Sequence, residues 1–363
     1  MPDMPPAPDA RQLIDALLNE ATARRASDLH FDPSATGYDV RLRIDGVLEN
    51  FGTYPPDVGR ALVTRLMVMA QLLTYRLDVP QEGRLRVVVP SSPDPLDLRL
   101  AVIPTTHGLR AVVRMPAELY MPRRLPGLGL PPTVLAGLDA FARADAGMLV
   151  VTGPAGSGKT TTLYALLQHI VETSPGVSIV SLEDPVERDL PGVTQIEVTP
   201  FGELTYEKAL RSILRQDPQV LMLGEIRDPA VAALATQAAL SGHRLLCTLH
   251  AISPALAITR LLDMGLEPYQ LTSSLYGVLA QRLLRRKSDD GAYKGRIPIA
   301  EFATLDPDLR RAILSRADAD TLATLLQSRP GYQTLRQSAQ HLIDQGITDE
   351  FETRRMLGDS PRV

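Results

Sequence analysis

GPAGSGKT, residues 153–160, satisfies the pattern G-x-x-x-x-G-K-[ST]. Before it, residues 148–152 form a short apolar run of strand type, and after it residues 160–172 repeat apolar positions at helical spacing. Strand, glycine loop and helix in that order let successive backbone N–H groups curl inward, and the helix N-terminus adds its own donors and dipole. A polyphosphate is what such a loop holds. Gly153, Gly156 and Gly158 supply the freedom to curl, and Pro154, Ala155, Ser157 and Thr161 complete the cradle. Lys159 is expected to reach the β- and γ-phosphates and the Thr160 hydroxyl to ligate Mg²⁺. ATP and Mg²⁺ are therefore the expected cofactors.

Working outward, strands over 178–182, 220–223 and 245–249 alternate with helices over 206–215 and 230–240. Strands alternating with helices imply a parallel, doubly wound α/β sheet. From residue 307 onward the pattern is helical. Upstream the pattern differs. Tyr38, Val40, Leu42 and Ile44 alternate with Asp39, Arg41, Arg43 and Asp45, and Asp45-Gly46 is a two-residue hairpin signal. A second alternation covers 96–102, a third strand lies near 110–114, and helices are expected over 10–25 and 58–73. Residues 10–114 thus read as a smaller α/β domain on a mostly antiparallel sheet. Residues 1–9 read as a flexible leader. Residues 115–132, MPAELYMPRRLPGLGLPP, are a Pro- and Gly-rich linker.

Composition narrows the function. Hydrophobic residues at 44% and charged ones at 22% describe an ordinary globular chain. A net charge of −4 argues against a broad basic footprint for nucleic acid. Cys247 is the only cysteine, which excludes a disulfide framework and a thiolate zinc site, so no zinc is expected. No apolar run approaches the length of a spanning helix, and any membrane association is expected to run through partners.

A nucleotide site that turns over needs acidic help with the metal and with the attacking water. Two glutamates end expected strands, where a parallel sheet gathers its ligands: Glu183 in VSLEDPVER and Glu225 in VLMLGEIRD. Glu225 is assigned to Mg²⁺ through water and Glu183 to the attacking water, with the two roles exchangeable. His250, at the end of LLCTLH, is a candidate sensor of the γ-phosphate, and His243 at its start a weaker one.

These segments together resemble the secretion-ATPase superfamily that powers type II secretion, type IV pilus assembly and DNA uptake. GPAGSGKTTTLY is similar to its Walker A box, VSLEDPVE to its Asp box, LRSILRQDPQVLMLGEIRD to its Walker B region and TQAALSGHRLLCTLHA to its His box. RLLDMGLEPYQLTSSLYGVLAQRLLRR, ASDLHFDP, VRLRIDGVL and TLRQSAQHLIDQGIT extend the likeness over roughly residues 20–355. It is most similar to the assembly branch. The resemblance implies a PAS-like N2 domain over 10–114, a hinge over 115–132 and a RecA-like ATPase domain over 133–363, with a helical subdomain from about 303. It further implies a cytoplasmic homohexameric ring that works on an inner-membrane platform protein. Two features of the assembly branch differ. The place of its two CxxC pairs reads RRKSDDGAYKGR, and only some twenty residues precede the N2-like region. A DNA-uptake motor, a retraction motor and a nucleotide-binding scaffold without turnover are the alternatives.

Arg41, Arg43, Arg84, Arg99, Arg110 and Arg114 stud the polar face of the first domain's strands. Cross-strand ion pairs are the plain expectation. The resemblance raises a second one, that Arg99 and Arg114 reach nucleotide phosphates as arginine fingers, with Arg227 a further candidate.

Overall fold

The computed structural model describes residues 9–116, 124–198 and 202–359, within which the chain divides into two units, Met1–Tyr120 and Met121–Val363. Most of the expected leader and the centre of the expected linker, residues 1–8 and 117–123, lie outside the described residues.

Alternation builds the first unit. Strands β1 (Asp28–Pro33), β2 (Tyr38–Ile44), β3 (Val47–Tyr54), β4 (Gln81–Val87), β5 (Leu96–Thr105) and β6 (Gly108–Arg114) form one sheet in the order β3-β2-β1-β6-β5-β4. Every neighbouring pair is antiparallel. Leu29, Phe31, Val40, Leu42, Leu98, Leu100 and Val113 turn to one face and are buried. There they pack with α1 (Ala10–Ala23) and α2 (Pro56–Met69) into a single apolar cluster. Their alternates turn the other way and carry charge. Asp45 and Gly46 both take positive φ, 48° and 85°, the backbone a two-residue hairpin turn requires. Helix α2 ends at Met69, short of the expected residue 73. The Gln81 side chain takes the N–H and carbonyl of Leu73 instead.

The second unit is wound on both faces. Its elements run α3 (Pro132–Ala142), β7 (Gly147–Thr152), α4 (Lys159–Thr173), β8 (Ile179–Glu183), β9 (Thr194–Glu197), α5 (Tyr206–Ile213), β10 (Val220–Leu223), α6 (Pro229–Leu240) and β11 (Arg244–Leu249). Then follow α7 (Pro254–Asp263), α8 (Pro268–Ser274), β12 (Leu275–Lys287), β13 (Tyr293–Thr304), α9 (Pro307–Leu314), α10 (Ala319–Gln327), α11 (Leu335–Asp344) and α12 (Glu350–Leu357). The sheet order is β13-β12-β7-β11-β10-β8-β9, parallel throughout except for the β12–β13 hairpin. Met148 and Val150 enter one apolar cluster with α5, α6 and α7; Leu149 and Val151 enter another with α3 and α4. That double burial explains why these strands read as continuous apolar runs rather than as alternation. Periodicity alone announces no strand over 275–304. Burial on both sides of β12 removes the alternation that would have announced one.

Candidate active site

The parallel strands point their carboxyl ends to one edge, and the glycine loop leaves β7 there. Gly156 and Gly158 take φ of 72° and 89°, a region that a side chain would strain. Lys159 opens α4 and folds back over the loop, its Nζ donating to the Gly153 carbonyl at 2.8 Å and the Pro154 carbonyl at 3.1 Å. Burial lowers its pKa, opposed by nearby Glu225 and aided by Arg282. Ser157 Oγ is buried with no partner among the described residues. A cation resting on carbonyls, an orphaned hydroxyl and a left-handed loop fit a bound polyphosphate, whose oxygens would satisfy the first two. Thr160 and Thr161 lie half-buried in the first turn of α4.

Glu225 follows β10. Its carboxylate accepts from Arg227 Nε at 2.8 Å and stands 3.0 Å from His250 Nε2. Arg227 also donates to Asp184 at 3.0 Å. That doubly held guanidinium has its pKa raised, chiefly by its hydrogen bond to Glu225. The loop after β11 that carries His250 is tied to β7, because Thr152 Oγ1 donates to the Leu249 carbonyl at 2.9 Å and accepts from the Ala251 N–H at 2.9 Å. Lys159, Glu225, His250, Arg227 and Asp184 thus share one charged cluster. His243 lies at the opposite end of β11, its Nδ1 2.8 Å from the Ala238 carbonyl.

Glu183 ends β8 and is 2% exposed. Its Oε1 accepts from Ser181 Oγ at 2.6 Å and Gln195 Nε2 at 3.0 Å, and its Oε2 accepts from the Tyr164 hydroxyl of α4. Burial and the bond to Glu183 push the Tyr164 pKa up. Three donors occupy three of the four or so acceptor positions of a carboxylate. The fourth is on Oε2.

The structure also brings forward residues that the sequence reading passed over: Tyr164, Gln195, Gln281 and Arg282. Tyr164, Gln281 and Arg282 are polar residues inside or beside otherwise apolar runs, as in TTTLYALL and GVLAQRLL, whereas Gln195 lies in the mixed stretch GVTQIEVT. That interruption was the available signal.

In the first unit, cross-strand ion pairing accounts for several arginines. Arg41 and Arg110 reach Asp32 at 2.7 and 2.6 Å, and Arg43 and Arg114 reach Asp28 at 3.5 and 3.0 Å. Arg99 is exposed on β5, between Arg84 and Arg114 in the register.

A glycine loop leaving a central strand of a parallel sheet, with one glutamate ending β8 and another just after β10 at the same edge, defines a P-loop protein of the RecA-like α/β class. The model of the Type II/IV secretion system protein family matches residues 7–355, and the chain belongs to that family. It is 40% identical to the type II secretion system protein HxcR of Pseudomonas aeruginosa, over 96% of this chain and 77% of that one. Among solved structures it superposes on the ATPase DotB of Legionella pneumophila with a TM-score of 0.78 and 22% identity, covering 99% of both chains. It superposes on the pilus retraction motor PilT with bound ADP with a TM-score of 0.69 and 26% identity, over 96% of this chain and 98% of that one. No helix among the described residues is long and apolar enough to cross a membrane.

Proposed function

We propose that this chain hydrolyses Mg-ATP and couples turnover to assembly of a type II secretion pseudopilus or type IV pilus. In this reading it works as a cytoplasmic homohexamer against an inner-membrane platform protein. The observation that carries the hydrolytic part is the charged cluster around the glycine loop, with Lys159 resting on loop carbonyls and Glu225 held by Arg227 and His250. The likeness to HxcR supports the secretion part. The likeness to PilT favours a second reading, a retraction motor. Deleting the gene separates the two, since filaments vanish in the first case and accumulate in the second.

The residues divide the work. The loop 153–158 and Thr161 hold the phosphates, and Lys159 moves from its carbonyls to the β- and γ-oxygens. Thr160 and Glu225 hold Mg²⁺, which supplies charge neutralisation on the phosphates when bound. Glu183 orients the attacking water through its free Oε2 position and accepts its proton. His250, with its Nε2 3.0 Å from Glu225 Oε1, reports the γ-phosphate. Purified protein should release phosphate from ATP only with Mg²⁺, and Lys159→Ala should lower that release by about 10²-fold or more. Release that continues undiminished in Lys159→Ala rejects the site.

Residues 10–114 serve as the N2 domain, 115–132 as the hinge and 133–363 as the motor domain. Arg99 and Arg114 act as arginine fingers on the transition state. The exposure of Arg99 on β5, between Arg84 and Arg114 in the register, supports this role for Arg99, while Arg114 would have to leave its pairing with Asp28. Arg99→Ala and Arg114→Ala should each cut turnover about tenfold or more with little loss of nucleotide binding. Unchanged turnover in both removes the arginines from the mechanism.

A further inference from the structure

Strand β12 runs past the end of its neighbour. Ala280 is the last residue in register with β7, opposite Thr152, so Gln281 and Arg282 stand beside the start of the glycine loop. Gln281 is 2% exposed and both ends of its amide are used. Its Nε2 donates to the Ser157 carbonyl at 2.8 Å, and its Oε1 accepts from Thr162 Oγ1 at 2.9 Å. A carbonyl can only accept, so the network fixes which way the amide faces. The loop has no slack against it. A Cβ on Gly158 would lie 2.8 Å from Gln281 Nε2, and one on Gly153 would lie 2.6 Å from the Gln281 carbonyl. Arg282 closes the other side, donating to the carbonyls of Gln281 at 2.9 Å and of Ile252 at 3.0 Å.

Peptide planarity turns this contact into function. The carbonyl of Ser157 and the N–H of Gly158 belong to one planar trans unit and point in opposite directions. Holding the carbonyl against Gln281 therefore aims the Gly158 N–H away from β12. The bond to Thr162 fixes the first turn of α4 in the same frame. A loop free to rotate that peptide would have to reorder it each time an anion arrived, and that reordering weakens binding.

We propose that Gln281 is a positioning residue of the nucleotide site: by clamping Ser157 and Thr162 it holds the Gly158 N–H aimed at phosphate. The proposal rests on the reading of 153–160 as a nucleotide site and deepens it. No apolar residue can replace the clamp, and a carboxylate at the same place would face the Ser157 carbonyl with a lone pair instead of a proton.

The test is the affinity of the full chain for a fluorescent ADP, with Gln281→Met as the shape-preserving variant. Affinity should fall about tenfold, or 1.4 kcal/mol, and KM for ATP should rise in step while kcat falls much less. A defect that is merely structural would instead lower the nucleotide-free melting temperature and kcat together. Thr162→Val, which removes only the Thr162 bond, should cost about threefold in affinity; it carries the test if Gln281→Met does not fold. Wild-type affinity in Gln281→Met, or in Thr162→Val where it stands alone, overturns the clamp. Failure of the wild-type chain to bind the probe at all overturns the nucleotide site itself, so the two failures are distinguishable.

Discussion

Glu183→Gln is expected to leave nucleotide bound and to slow hydrolysis by about 10²–10⁴-fold, the range that a positioned general base contributes. The substitution is nearly isosteric at a buried position where three donors already hold the side chain. The remaining amide oxygen can still accept from Ser181 and Gln195, and the amide nitrogen meets the Tyr164 hydroxyl as a donor. The pocket therefore keeps its shape while losing the one group able to take a proton from water. Binding should survive, because the phosphate contacts come from the loop after β7 while Glu183 ends β8, with β11 and β10 between them. Glu225→Gln separates the two acidic roles. If Glu225 serves the metal, its variant recovers activity as Mg²⁺ is raised and Glu183→Gln does not. The reverse pattern exchanges the roles, and turnover near the wild-type rate in Glu183→Gln removes that residue from the chemistry.

The loop and its two glutamates were legible because each chemical need falls on a fixed local offset. Gly153 to Thr160 is one turn of chain, and Glu183 and Glu225 sit at the ends of apolar runs. The hairpin at Asp45-Gly46 was legible for the same reason, since its turn chemistry is local. What surrounds the site was not. Tyr164 meets Glu183 from nineteen residues away, and Gln281 meets Ser157 from 124 away. Such pairings are set by the order of strands in the sheet, which periodicity cannot report. β12 was hidden for a related reason, lying between β7 and β13 with both faces covered. The arginines of the first unit show the opposite limit. Their alternation was plain, yet it could not tell Arg114, paired with Asp28, from Arg99, exposed beside it.

The largest stability effect is expected at Glu352, which sits on α12 and meets Arg285 of β12, the strand that also carries Gln281. Its side chain is 0% exposed and accepts from the Arg285 backbone N–H at 3.0 Å, from Arg285 Nε at 2.9 Å and from Arg355 Nε at 2.7 Å. Arg285 also lies over the Tyr293 ring, 3.9 Å from its centre. Among the described residues the apolar cluster joining β12 and β13 to α11 has five buried members, Leu284, Ile297, Ile299, Leu335 and Ala339, with partly buried Leu342, Ile347, Met356 and Leu357 packed on them, so the ionic contact holds a large share of this joint. Glu352→Leu strands a partly buried guanidinium and a backbone N–H together. The expected cost is about 3 kcal/mol, at the low end for removing one partner of a buried pair, because Arg355 is 31% exposed and can turn to water. That corresponds to a melting point lower by roughly 6–12 °C. Burial pushes the Glu352 pKa up, but the hydrogen bonds from Arg355 and Arg285 outweigh it and hold the carboxyl below its ordinary value of 4.5. A depressed carboxyl stabilises the fold above that ordinary value and loses its contribution as pH falls through the lower, folded one. The gap between wild type and Glu352→Leu should therefore be full at neutral pH and close on acidification below the ordinary value. A melting point within about 2 °C of wild type at neutral pH would remove the ion pair from the stability of this joint, and a gap that persists undiminished into strong acid would assign it to packing instead.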